Sequence, residues 1–177
     1  MNEKISNPMT DRPEMEGYGI QPIGSGENLI PWVEVSQKLA QARNYWLSTT
    51  RPDGRPHAMP VWGVWLDEAF YFGTGTDTVK ARNLVHNAAA VVHLESGDDV
   101  VILEGTAVPV TDTSLLMYIY VNIYGPKYGM DMSAHAEDDA GPTFALQPTL
   151  AFAWLESDFP NTATRYRFAN DRWKNED

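Results

Sequence analysis

Residues 51–83, RPDGRPHAMPVWGVWLDEAFYFGTGTDTVKARN, decide how this chain is read. RPDGRP is turn chemistry with Asp53-Gly54 at its centre. His57 to Leu66 reads as a long strand, LDEA as a turn, and Phe70 to Thr74 as a further strand. A short helix follows over residues 78–87, with Asp77 or Thr78 as its N-cap and Asn87 near its end. Pro60 removes a ladder donor, so its strand lies at an edge or a bulge. Trp62 and Trp65 are three apart and fall on opposite faces of that strand. Gly63 between them lets a flat ring approach the backbone closely.

Working outward, residues 1–28 are polar and rich in Gly and Pro and read as a flexible arm, leaving 29–177 as a single domain. Pro31 opens an amphipathic helix over residues 31–43, in which Trp32, Val33, Leu39 and Ala42 recur at helical spacing. NYWLSTT (44–50) is a strand, as are AAAVVHLE and VVILEGTAVPV, joined by the SGDD turn. DTSLLMYIYVNIYG is a helix, residues 126–143 a long loop, and TLAFAWLES and TATRYRFA the last strands. Six or seven strands, mostly joined by tight turns, predict a mainly β fold: an antiparallel barrel with peripheral helices. No strand runs into G-x-G-x-x-G and a helix, which disfavours a doubly wound nucleotide-binding sheet.

The net charge of −11 argues against nucleic acid as a main partner. Residues 51–82 nevertheless hold four basic and four acidic side chains, leaving 9 basic against 20 acidic elsewhere, so this is the relatively positive part of an acidic chain. The absence of cysteine removes disulfides, thiolate metal sites and a cysteine nucleophile. The four histidines show no metal-ligand spacing, and no serine sits in a nucleophile elbow. No apolar run approaches a membrane span and no secretory signal opens the chain, so the expected location is cytoplasmic.

A helix start offers free N–H groups and a favourable dipole to a phosphate, and here Lys80 and Arg82 flank it. Thr74, Thr76 and Thr78 add hydroxyls just ahead, and Asn83 holds either the loop backbone or the phosphate. An anion clamp beside an apolar slot is what a flavin-like cofactor needs. Hydride transfer between two held π-systems depends mainly on positioning, so it needs no hydrolytic triad.

The stretches ARNYWLSTTRPDGRPHAMPVWGVWLDEAFYFGT, DTVKARNLVHN and VVHLESGDDVVILEGTA resemble the pyridoxamine 5′-phosphate oxidase-like, FMN-binding split β-barrel superfamily. Within it they look most like the branch of F420 (deazaflavin)-dependent reductases. The resemblance implies a split β-barrel homodimer with the cofactor in a groove between subunits and its phosphate on Lys80. It also implies that Arg55, Met59, Pro60, Val61, Trp62, Thr74, Thr78, Arg82 and Asn83 line the ring, ribityl chain or phosphate. Arg165 and Arg167 are expected to reach across from the other subunit. The end of the chain, NDRWKNED, departs from the arginine-rich tail of the oxidases proper, so pyridoxamine phosphate is not the expected substrate.

The expectation is thus an oxidoreductase in which reduced F420 passes a hydride to an electrophilic small molecule. The alternatives are an FMN-dependent oxidoreductase and a non-catalytic flavin- or haem-binding module. FMN and F420 share a tricyclic ring, a ribityl chain and a phosphate, so the Lys80 clamp does not separate them. F420 adds an oligoglutamate tail suited to Arg51, Arg55 and Arg82. No residue is singled out as catalytic; Tyr124, Tyr128 and His135 are candidate proton donors because they lie in or beside the 126–143 loop.

Overall fold

Residues 7–24, 28–132 and 141–169 are described by the computed structural model. In chain order they form β1 (Met9–Asp11), α1 (Trp32–Gln41), β2 (Tyr45–Thr50), β3 (Pro56–Val61), β4 (Val64–Leu66), β5 (Ala69–Gly73) and α2 (Val79–His86). There follow β6 (Ala89–His93), β7 (Asp99–Pro109), α3 (Thr113–Ile119), a π-turn (Tyr120–Tyr124) and α4 (Gly125–Tyr128). The chain continues with β8 (Thr143–Leu155), α5 (Phe159–Thr162) and β9 (Thr164–Arg167). Among the described residues no helix is long and apolar enough to cross a membrane.

The strands form one antiparallel sheet in the order β1-β9-β8-β7-β6-β2-β3, with β5 also paired to β8 and β4 to β5. β8 is long enough to carry β7 along one edge and both β5 and β9 along the other. β8 pairs with β5 through Thr143–Leu146 and with β9 through Leu150–Ala153. The inward positions of these strands bury Leu47, Val92, Leu103, Leu146, Ala151 and Tyr166. α1 closes the core because Trp32, Val35 and Leu39 fall on one face. The Trp32 ring packs edge-on against Trp65 and Phe168.

The expectation of a closed barrel of six or seven strands is corrected: among the described residues the sheet has nine strands and is open. The physical reason lies in the segment read as one strand over His57–Leu66. It breaks at Trp62-Gly63 into β3, which pairs only with β2, and β4, which pairs only with β5. Side chains take the place of a ladder there: Gly63 N–H donates to the Tyr128 hydroxyl (2.9 Å), and Gly63 O accepts from Lys127 Nζ (2.9 Å). Among the described residues β3 and β4 share no ladder with each other, and β4 joins the rest of the sheet through β5 and β8.

Within the stretch read as an arm, β1 pairs with β9, and its Asp11 accepts from Arg165 Nε at 2.8 Å and also pairs with Arg167. Arg165 and then burial and Arg167 act on Asp11, with the net effect of holding its carboxyl below the usual range. Both arginines are therefore engaged within their own chain.

Pro126 explains the π-turn: lacking an N–H, it cannot continue the α ladder. Gly125 N–H reaches Tyr120 O, one residue further back than α-helical pairing.

Candidate functional site

Three elements converge at the start of α2. Thr78 is its N-cap, the Oγ1 accepting from Ala81 N–H at 3.2 Å. That hydroxyl also shares a 2.8 Å hydrogen bond with Thr74 at the end of β5. The N–H groups of Val79 and Lys80, in the first turn, have no acceptor within the helix. Asn83, fully buried, donates from Nδ2 to Thr49 Oγ1 on β2 at 2.9 Å. Asn83 thus fastens the helix to the sheet and does not present itself to a ligand.

Thr49 leads to His57 on β3, whose Nδ1 lies 3.5 Å from the Thr49 hydroxyl. Burial, and then the charges of Arg51 and Lys80, hold the His57 imidazole below its ordinary pKa. His57, the Arg51 and Lys80 charges that act on it and the first turn of α2 therefore belong to one corner.

The two cations of α2 do not act together. Positions two apart on a helix lie about 200° around it, and Arg82 turns away to donate from Nη1 to Asp77 O at 2.6 Å. It lines a different groove, with Ala107, Pro109 and Phe144. Arg55 sits in the β2–β3 turn, its guanidinium 2.8 Å from Asp53. The corner is thus built by Lys80, Arg51, His57, Thr74 and Thr78, with Arg82 and Arg55 set apart.

Along β3 the chain presents Met59 and Pro60 to solvent and buries Val61. Trp62, 41% exposed, stacks on Tyr128 with ring centroids 4.5 Å apart and planes within 12°. Tyr128 meets Tyr124 at 4.6 Å and Tyr124 meets Tyr120 at 5.4 Å, so four rings run from the strand break to the π-turn. Arg43 stands 5.3 Å from both the Trp62 and Tyr128 rings, within cation–π range. Trp65 turns the other way into the core, its Nε1 on Ser36 Oγ at 2.9 Å, as the strand spacing predicts.

Lys127 was not among the sequence candidates. It donates to the Tyr45 hydroxyl at 2.8 Å and to Gly63 O at 2.9 Å, with no carboxylate within ion-pair distance among the described residues. Burial lowers its pKa from 10.5 to about 8. Native protein therefore releases this proton at a pH where unfolded chain still holds it, so stability rises with pH between those values. Lys127→Met is expected to lose that rise. Urea unfolding at pH 7.5 and 9.5 checks it, with wild type gaining about 1 kcal/mol more than the variant after allowance for partial exposure. Equal gains in the two proteins would show that Lys127 is not desolvated.

A cavity of about 270 Å³ opens between Gly73-Thr74-Gly75 and the rings of Tyr120 and Tyr124, floored by Met130 and Met132. The Tyr120 hydroxyl is bonded to Thr143 Oγ1 (2.6 Å), and the Tyr128 hydroxyl to Arg43 O (2.8 Å) and Gly63. Among the described residues the Tyr124 hydroxyl has no hydrogen-bond partner. Burial, then its neighbours Tyr128 and Tyr120, raise its pKa and keep it a proton-bearing donor. His135 lies outside the described residues.

The fold, an open antiparallel sheet with peripheral helices, sets the class of protein. The sequence profile of the pyridoxamine 5′-phosphate oxidase family matches residues 33–155, and the chain belongs to that family. No curated protein sequence matches the chain. A conserved hypothetical protein of Mycobacterium tuberculosis superposes with a TM-score of 0.64 at 21% identity, over 73% of this chain and 87% of that one. An F420 reductase superposes at 0.51 and 23% identity, over 65% and 94% of the respective chains. The heme storage protein HutZ of Vibrio cholerae does so at 0.55 and 19%, over 66% and 88%. At these identities the likeness is one of fold.

Proposed function

We propose that this protein is an oxidoreductase that binds FMN, with the phosphate at the start of α2 and the ring along β3. The observation that carries this reading is the meeting of Lys80, Arg51, His57 and the first-turn N–H groups of α2 at one corner. Its donor set suits a phosphate dianion: one ammonium, one guanidinium, backbone N–H groups and the Thr74–Thr78 hydroxyl pair. When bound, FMN supplies the hydride chemistry. The chain's own part is to hold the phosphate, to set the ring beside Met59, Pro60 and Trp62, and to offer a proton-bearing hydroxyl, Tyr124, to the acceptor.

A second reading, F420, has one observation in its favour. Arg43 and Arg51 have no carboxylate within ion-pair distance among the described residues and would suit an anionic tail. Against it, Arg55 is neutralised by Asp53 and Arg82 faces another groove. Side-by-side titration of the purified protein with FMN, F420 and haem tests the assignment. Tight binding of FMN with a two-banded yellow spectrum supports the first reading. Preference for F420 supports the second, and haem alone would overturn both.

The exposed Trp46, Met59 and Trp62 lie on or beside β2 and β3, and a second copy covering them would complete the groove in a homodimer. Light scattering measures that state directly. Tyr124→Phe is expected to lower turnover about tenfold, the worth of one hydrogen bond, with FMN affinity unchanged. Unaltered turnover would remove Tyr124 from the acceptor site.

A further inference from the structure

On the far side of α2 from the Lys80 corner, a groove of about 600 Å³ runs between the helix and the ends of β7 and β8. Leu84 and Val85 form one wall, Ala107 and Pro109 the other, and Phe144 the floor. Val85 is 85% exposed, an apolar side chain on the outer face of a packed helix with nothing over it. Among the described residues of the lining, Arg82 is the one polar residue apart from Thr76 and the one charge. Its guanidinium uses Nη1 on Asp77 O and meets no carboxylate within ion-pair distance among the described residues.

We infer that this groove binds an apolar monocarboxylate, an acyl chain lying along Val85 and Phe144 with its head group on Arg82. A planar guanidinium with free N–H groups matches a carboxylate in a two-pronged geometry. One cation among apolar walls selects a singly charged head with a hydrophobic tail. A phosphate dianion is better served at the Lys80 corner, where two cations and backbone N–H groups converge. The volume is in the range of small-ligand pockets, and covering Val85 removes apolar surface from water. The site is independent of the cofactor reading, since it uses the opposite face of α2.

Calorimetric titration of the full chain with decanoate and with decan-1-ol, both below their aggregation limits, tests this. Decanoate is expected to bind saturably, one per chain. Arg82→Gln should weaken decanoate about tenfold and leave decanol unchanged. Val85→Asp should abolish both, while a melting transition like that of wild type shows that it remains folded. Absence of saturable decanoate binding overturns the inference, as does an Arg82→Gln protein that binds it like wild type. Loss of FMN affinity in Arg82→Gln would instead place Arg82 in the phosphate clamp and also overturn it. Dissociation of a dimer by Val85→Asp would show a second copy of this chain in the groove, with the same consequence.

Discussion

Lys80→Ala is expected to weaken FMN binding roughly ten- to a hundredfold, the loss of one charge-assisted hydrogen bond of about 1–3 kcal/mol. Binding should not vanish, because the first-turn N–H groups, the α2 dipole and Arg51 remain. Stability should be unchanged, since Lys80 makes no ion pair among the described residues and is only half-buried. The affinity of wild type should also fall more steeply with salt than that of the variant, as fewer charges are left to screen. Fluorescence titration at two ionic strengths reads both effects. An Lys80→Ala protein that binds FMN as wild type does would remove the phosphate from this helix start.

Gly105→Ala is expected to cost about 3 kcal/mol of stability, the upper part of the overpacking range. The pairing of β7 with β8 shifts register between Glu104 and Gly105: Glu104 faces Leu150, Gly105 faces Pro148, and Thr149 is the extra residue. A Cβ at Gly105 would lie 2.8 Å from both Gln147 C and Pro148 Cα, and closer still to Gln147 O. These are backbone atoms of the strand that holds the sheet together, so they cannot step aside as a flexible side chain would. For a chain of this size that loss corresponds to a fall in melting temperature of roughly 10 °C. Gly97→Ala, where nothing lies within 4 Å, is the control and should melt like wild type. A Gly105→Ala protein melting within two degrees or so of wild type would mean that the strands part easily at the bulge.

The features closest to one another in the chain were the most legible. Thr78 caps α2 as its residue type and place before KARNL suggest, because capping is decided within four residues. Trp62 and Trp65 part to opposite sides as expected of the segment, although the strand that would have alternated them is broken between them. The break at Trp62-Gly63 was not legible. HAMPVWGVWL reads as one strand, and what interrupts it is Tyr128 and Lys127, 65 and 64 positions further on. Nor was the pairing of Arg165 and Arg167 with Asp11, 154 and 156 positions away, which ties β1 to β9.

The same division runs through the site. The local pattern specified the strand–loop–helix unit around residues 51–83, its cap and its cations, because turns, caps and side-chain periodicity depend on neighbours a few residues apart. Where each cation of α2 points was decided only when burial of Asn83 and Leu84 set the rotation of the helix, with Lys80 acting on His57 and Arg82 lining the opposite groove. Openness of the sheet was likewise decided by contacts between distant segments, where Lys127 and Tyr128 occupy backbone groups that a closing strand would have used. Hydrogen-bonding capacity at Gly63 is finite, and only the folded chain shows which partner takes it.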